Sequence, residues 1–298
     1  RARKTRQHTM NTARPVDTVD FHKMHGCGNH FVLIDNRELE VPIQAMAHWA
    51  RKVCAPGFGV GADGLIFLQS APSGAGVDYL WHFYNADGSR AEMCGNASRC
   101  AARLAMELGL AGTTQILGTD AGPVEAEVLQ GDQVRIRLTP PTGLELGLSL
   151  DVAGQTLTTH FVNTGVPHAV TVWDDVSQVD VATLGRAMRF HPHFAPAGSN
   201  ANFIQIADKE HILLRTYERG VEAETHACGT GAAASAVVAH TLGLTNATVD
   251  VITSGQEILR ITLENGSVFL QGAAVKVYAG ILSLSALGLS QTPWDVNA

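Results

Sequence analysis

The 298-residue chain predicts an α+β fold of two similar domains, and three observations point that way. Two stretches, Ala91-Glu92-Met93-Cys94-Gly95-Asn96-Ala97 and Thr225-His226-Ala227-Cys228-Gly229-Thr230-Gly231-Ala232, each set a cysteine against glycine at the start of a small-residue helix. The strand, turn and helix signals run in the same order through both halves: strands, a turn, the Cys-Gly step, a buried helix, then hairpin strands. Cys94 and Cys228 lie 134 positions apart, close to half the chain. An internal duplication with one thiol per domain, meeting in a central cleft, accounts for this better than a single layered sheet.

After a polar leader, residues 21–35 read as one strand interrupted at Gly26-Cys27-Gly28, where the backbone bulges or passes a ligand closely. A helix is expected over 43–52. The glycine-rich turn at 57–64 leads into a strand at 65–69, and 79–84 alternates like another. Small and apolar residues over 95–108 fit a buried helix stopped by Gly109. Strands follow at 115–119, 122–129 and 133–138, with Gly131-Asp132 turning the last hairpin. Pro140-Pro141-Thr142-Gly143 reads as a crossover between domains. Beyond it come strands at 155–162 and 169–172, a helix at 179–188, and strands at 202–206 and 211–217. The second small-residue helix is expected over 232–242, closed by Gly243, before strands at 248–253, 257–264 and 267–270. The apolar tail at 281–290 is too short to span a membrane and is expected to dock on the body.

Composition narrows the class. With 45% hydrophobic and 16% charged residues the chain reads as a soluble globular protein. Net charge is −7, and since the first ten residues carry Arg1, Arg3, Lys4 and Arg6 without an acid, the remainder stands at −11. So acidic a body does not suit phosphate backbones, and no nucleic-acid partner is expected. No apolar segment follows the basic start, which argues against a secretory signal; either Met10 is the original initiator or the first nine residues are a native or added extension. No run of about 18 apolar residues suggests a membrane helix. The odd count of five cysteines, Cys27, Cys54, Cys94, Cys100 and Cys228, favours reduced thiols in a cytoplasmic setting.

A helix N-terminus offers unpaired N–H groups and partial positive charge, which lower a thiol's pKa and hold a carboxylate. Free cysteines are more often small buried hydrophobes, but Gly95-Asn96 and Gly229-Thr230-Gly231 expose backbone donors and permit close approach. Two such thiols facing one carbon could take a proton from one side and return one to the other. The developing enolate charge would fall on the backbone donors. That chemistry needs neither cofactor nor metal, and the sets His22, His25, His30 and His191, His193 lack a complete ligand spacing. A Cys94–Cys228 disulfide is the competing structural reading, an oxidised and inactive state.

The sequence resembles the diaminopimelate epimerase family. The likeness lies in His25-Gly26-Cys27-Gly28-Asn29, Gly59-Val60-Gly61-Ala62-Asp63, Phe83-Tyr84-Asn85-Ala86-Asp87-Gly88-Ser89, Glu92-Met93-Cys94-Gly95-Asn96-Ala97-Ser98-Arg99-Cys100, Gly165-Val166-Pro167-His168, Ala201-Asn202-Phe203, Tyr217-Glu218-Arg219-Gly220 and the second Cys-Gly stretch, and extends to Val275-Lys276-Val277-Tyr278-Ala279-Gly280. The resemblance implies cofactor-independent interconversion of LL- and meso-diaminopimelate in lysine and cell-wall precursor synthesis, with Cys94 and Cys228 as the paired acid and base. It also implies a homodimer and two barrel-like, mostly antiparallel sheets, each around a central helix, with the last strand returning to the first domain. The division that follows is 18–139 with 272–282 around Cys94, and 140–271 around Cys228. Residues 1–17 are a leader and 283–298 a tail.

For the supporting residues, Arg219 suits a carboxylate and Glu218 an ammonium, a pairing fit for a zwitterion. His168 is expected near Glu218, the substrate amine or a thiol. Asn29, Asn85 and Asn202 match polar pocket positions of the family, though each could equally cap a turn. Asn96 joins Gly95 in one anion cradle and Thr230 joins Gly229 in the other. The chain departs from the family pattern at Val166 and Gly64, where many members carry asparagine and glutamine that shape the substrate-reading region. His30 and Cys27 also replace a common acid and leucine. Two alternatives stay open at this level: a racemase of another amino acid using the same thiol pair, and a catalytically silent amino-acid-binding or thiol-redox protein.

Overall fold

The computed structural model describes residues 17–289, so nearly all of the leader and the end of the tail lie outside the described residues. Strand β1 (Thr18–Gly26) turns directly into β2 (Asn29–Asp35), so the segment expected to be one interrupted strand is an antiparallel pair. The two-residue turn requires left-handed backbone, and Cys27 (φ 54°) and Gly28 (φ 76°) both adopt it. Helix α1 (Ile43–Val53) crosses to β3 (Gly64–Ser70), parallel to β2. After the antiparallel β4 (Tyr79–Asn85), helix α2 (Gly95–Glu107) crosses to β5 (Thr114–Thr119), parallel to β4. β6 (Gly122–Val128) and β7 (Gln133–Arg137) close this half as an antiparallel meander.

The second half repeats the order. β8 (Thr142–Val152), β9 (Gln155–Asn163) and β10 (Pro167–Val172) are antiparallel neighbours, and α3 (Val181–Arg189) crosses to β11 (Asn200–Ile206), parallel to β10. β12 (His211–Glu218) carries the short β13 (Ala223–Thr225), and α4 (Gly229–Thr241) crosses to β14 (Thr248–Thr253), parallel to β12. β15 (Ile258–Glu264) and β16 (Ser267–Ala273) complete the antiparallel run. The senses of β9–β10, β10–β11, β11–β12 and β12–β14 match those of β1–β2, β2–β3, β3–β4 and β4–β5 in turn. The result is a two-domain α+β architecture of mixed, mainly antiparallel sheet around helices. The last strand, β17 (Val275–Ser283), leaves β16 and returns to pair with β1.

Strand β8 was not foreseen. The prolines before it signal a loop, yet its leucines at 144, 146, 148 and 150 alternate with period two. Register shifts along β8 accommodate left-handed Gly143 and Gly147. Helix α3 starts two residues later than expected because the Asp180 carboxylate caps it, accepting from Thr183 N at 3.1 Å. Helix α4 starts three residues earlier, since Cys228 is itself the extended cap. The tail docks as expected through Leu282, Leu284 and Leu289, buried in the cluster that includes α1. Among the described residues no helix is long and apolar enough to cross a membrane.

Alanine explains how α2 and α4 sit inside their sheets. Ala97, Ala101, Ala102 and Ala105 of α2 and Ala232, Ala233, Ala234 and Ala236 of α4 are all fully buried, and both helices belong to one continuous apolar core. The halves join where β7 pairs antiparallel with β16, setting Ile136 opposite Leu270. A methyl added at Gly95, the first residue of α2, would lie 3.6 Å from Ile136 Cδ1, and one at Gly229, the first of α4, 3.0 Å from Leu270 Cδ1. The pair therefore seats both helix starts. Leu270→Ala is expected to cost about 2–5 kcal/mol in urea unfolding, and Ile136→Ala somewhat less. The double variant should lose less than the two together, because the side chains share contacts; additive losses would show that they act independently.

Candidate active site

Cys94 (φ −153°, ψ 123°) and Cys228 (φ −127°, ψ 107°) are both extended residues at the caps of α2 and α4. Each carbonyl accepts the first helical bond, from Ser98 N at 2.8 Å and Ala232 N at 2.9 Å, while neither side chain caps its helix. That leaves each sulfur beside the next backbone donors: Ala97 and Asn96 N–H at Cys94, Gly231 N–H at Cys228. α2 and α4 touch, and the two thiols lie within electrostatic reach of one another. All five cysteines are free.

Around Cys94 the β1–β2 turn brings up Asn29, whose Oδ1 stands 3.7 Å from the sulfur and 3.3 Å from Asn96 Nδ2. Asn29 Nδ2 donates to Asp63 Oδ2 at 2.7 Å, and Asn96 Oδ1 accepts from the fully buried Arg99 at 2.8 Å. Arg99 also donates to Gly95 O at 3.3 Å and lies 3.3 Å from the buried Cys27 sulfur. Around Cys228, Thr230 Oγ1 is 3.6 Å from the sulfur, and Thr164 Oγ1 donates to the Thr230 carbonyl at 2.9 Å. A Cβ at position 231 would sit 2.5 Å from Asn202 Oδ1 and 3.2 Å from Cys228 Sγ, so only glycine lets Asn202 and the thiol crowd that turn. Asn202 is held by Thr216 Oγ1 at 3.0 Å, by the Ala169 carbonyl at 3.1 Å and by His168 Nδ1 at 3.0 Å. Glu218 accepts from Thr225 Oγ1 at 2.9 Å and lies near both sulfurs.

The helix starts alone would make both thiols acidic, but burial outweighs them. Loss of water raises Cys94 despite the Ala97 and Asn96 amides and the Arg99 charge, which pull it down. Burial and then the Glu218 carboxylate push Cys228 up to about 12, against the Thr230 hydroxyl and the Gly231 amide. Burial raises Glu218 itself. His168, fully buried and near Arg219, is driven down to about 3 and is neutral at ordinary pH.

Cys94, Gly95, Asn96 and Asn29 thus form one group, and Cys228, Gly229, Thr230 and Asn202 another, with Glu218 within electrostatic reach of both thiols. His168 reaches the site through Asn202 rather than by bonding Glu218 or a thiol. Arg219 follows Glu218 at the end of β12, its N–H donating to Asn200 Oδ1 at 2.8 Å and its guanidinium to the Ala197 carbonyl at 3.2 Å. Asn85 is exposed at the end of β4: it pairs with Gly64 across the β3–β4 ladder and donates to Ser89 Oγ at 3.0 Å. Asp63 and Arg99 join the Cys94 group although the sequence marks them only as members of the 59–63 and 92–100 stretches. A cation in the first turns of a helix of small residues is the available signal for Arg99, and an acid beside a glycine-rich turn is that for Asp63. Gly64 is close-packed, since a Cβ there would meet Phe83 Cε2 at 2.5 Å and the Tyr84 carbonyl at 2.8 Å. Any side chain at 64 must displace Phe83.

A family model described as diaminopimelate epimerase matches residues 21–143 and 160–277. The chain belongs to the diaminopimelate epimerase family. It is 46% identical over 279 residues to the diaminopimelate epimerase of Aquifex aeolicus (strain VF5), covering 90% of this chain and 99% of that one. With the diaminopimelate epimerase of Hydrogenobaculum sp. (strain Y04AAS1) it shares 44% over 270 residues, covering 88% and 97%. Among solved structures it superposes on a PhzF-family phenazine biosynthesis protein of Bacillus anthracis (TM-score 0.68, 14% identity, 90% of this chain and 99% of that one). A probable proline racemase from Agrobacterium radiobacter K84 gives a TM-score of 0.65 at 17% identity, covering 92% and 97%. At those identities the likeness is one of fold.

Two outcomes follow for this epimerase-family site. Glu218→Gln removes the anion that disfavours the Cys228 thiolate, so the midpoint pH for iodoacetamide labelling of Cys228 should fall by about one unit. His168 is depressed below its unfolded value near 6.5, so the unfolded chain binds its proton first as pH falls. The stability it contributes is present above about pH 6.5 and declines toward pH 3, by about 1.4 kcal/mol per pH unit. His168→Gln should flatten that part of the urea-derived stability profile.

Proposed function

We propose that the chain is an amino-acid epimerase that interconverts LL- and meso-diaminopimelate without a cofactor, through proton transfer between Cys94, the α-carbon and Cys228. The observation that carries this reading is the pair of helix starts, each capped by a cysteine, seated on one strand pair in a chain matched nearly end to end by diaminopimelate epimerases. One thiolate removes the α-proton while the opposite thiol donates to the other face, and the roles exchange in the reverse direction. Amide donors at Asn96, Ala97 and Gly231 stabilise the enolate charge as it develops. Gly95 with Asn96 and Gly229 with Thr230 cradle the reacting carboxylate, and Glu218 takes the ammonium. Arg219 grips a carboxylate, while Asn29, Asn85 and Asn202 line the pocket and His168 holds Asn202. Burial raises both thiols; Arg99 and the Ala97 and Asn96 amides work against it at Cys94, whereas Glu218 adds to it at Cys228.

Diaminopimelate is favoured over another amino acid by relatives of 44–46% identity that carry that activity in their names, against 17% for the proline racemase. The two lobes of this reading are 18–139 with 272–282, and 140–271; the return of β17 to β1 supports that division. The protein acts in the cytoplasm as a homodimer, for which β17 offers exposed Val277, Tyr278 and Ile281.

Incubation of the reduced enzyme with LL-diaminopimelate in heavy water should place deuterium at one α-carbon and yield the meso isomer. Cys94→Ser and Cys228→Ser should each lower that turnover by at least about 100-fold. Rapid racemisation of other L-amino acids with no action on diaminopimelate would support the alternative substrate, and binding without exchange would sink the enzymatic reading.

A further inference from the structure

We propose that Asp63 and Arg99 are positioning residues for the Cys94 thiol: from opposite ends they lock Asn29 and Asn96 in one amide orientation, so that Cys94 faces a carbonyl oxygen rather than an amide NH2. A carboxylate can only accept, so the Asn29 group 2.7 Å from Asp63 Oδ2 must be its nitrogen. A guanidinium can only donate, so the Asn96 group 2.8 Å from Arg99 must be its oxygen. These two ends are independent, yet they agree in the middle, where Asn96 Nδ2 donates to Asn29 Oδ1 at 3.3 Å. Reversing Asn29 would set NH2 against NH2 and oxygen against carboxylate.

Both ends are held. Asp63 Oδ2 also accepts from His30 N at 2.9 Å, and Arg99 is fully buried with donations to the Gly95 and Ala273 carbonyls at 3.3 and 3.4 Å. Among the described residues no carboxylate pairs with Arg99, so its charge is spent on polarising this ladder. The Cys94 proton then has an acceptor in Asn29 Oδ1, 3.7 Å away, whereas a thiolate there would face a partial negative charge. The second half has no counterpart. The positions matching Asn96 and Arg99 are Thr230 and Ala233, and Cys228 meets a hydroxyl that can donate or accept. The other ionisable groups around Cys94 are Cys100 on its own helix, Cys27 beside Arg99, Glu218 at the end of β12, Cys228 before α4, and His30, 3.7 Å from Asp63.

This inference rests on Cys94 being a reacting thiol of the proposed epimerisation, but its test reads the thiol and not turnover. An enzyme inactive on diaminopimelate would sink that reading alone. Iodoacetamide labelling rates of Cys94 and Cys228 are followed against pH by peptide mass mapping. In Asp63→Ala the Asn29 amide loses the acceptor that fixes its NH2, and only the 3.3 Å bond from Asn96 opposes its turning toward the sulfur. Cys94 should then label roughly ten-fold faster at pH 7, a shift of about one pKa unit, with Cys228 unchanged. In an Asn29→Ala background the same Asp63→Ala change should have no effect on Cys94. Asp63→Asn and Asp63→Glu each keep an acceptor for the Asn29 NH2 and should stay close to the wild-type profile. An unchanged Cys94 in Asp63→Ala, equal acceleration of both cysteines, a full effect without Asn29, or a shift in Asp63→Glu as large as in Asp63→Ala would each overturn the proposal.

Discussion

Ile136 and Leu270 stand opposite one another in the β7–β16 ladder, and each lies under the first glycine of a buried helix. Cross-strand partners are held about 5 Å apart by the ladder itself, so the separation of the two helix starts is set by backbone hydrogen bonds rather than by loops. The alanine faces of α2 and α4 let each sheet close on its helix, which prevents the helices from sliding along their axes. The return of β17 to β1 ties the last strand back to the first half. Two cysteine caps are thereby presented from one rigid seam.

Burial and helix polarity oppose one another at that seam. Amide groups at the helix starts favour a thiolate, but removal from water costs more, and both sulfurs stand above their ordinary range. On the proposed reaction this opposition is useful. A thiol that stays protonated until a zwitterion enters does not waste its charge on solvent, and its high basicity suits removal of a weakly acidic α-proton. The Glu218 carboxylate is part of the same balance: on the proposed reaction a bound ammonium neutralises the charge that adds to burial in holding Cys228 protonated.

The backbone duplication is closer than the side-chain duplication. Strand senses and helix positions repeat, yet Cys94 meets an amide oxygen backed by Asp63 and Arg99, while Cys228 meets a threonine hydroxyl with Glu218 nearby. Two like thiols therefore stand in unlike surroundings, with different charges and hydrogen-bond partners beside them. Such a difference fits a reaction whose two directions start from different stereoisomers.

Much of this was legible in the chain itself. The Cys-Gly steps, the small residues after them and the half-chain spacing determined two buried helices with thiol caps, since periodicity, glycine and alanine act locally. The hairpin at Cys27-Gly28 and strand β8 escaped notice because a left-handed cysteine and a proline-led strand run against local preference and are held by pairing with distant segments. The same holds for His168, whose partner Asn202 is 34 residues away, and for Asp63, 34 residues from Asn29. The sequence by itself determined where the two cysteine-capped helix starts fall, because glycine and runs of small residues act locally. Only the tertiary structure decided the thiols' protonation and their partners, because burial and hydrogen-bond direction depend on what the fold packs against each group.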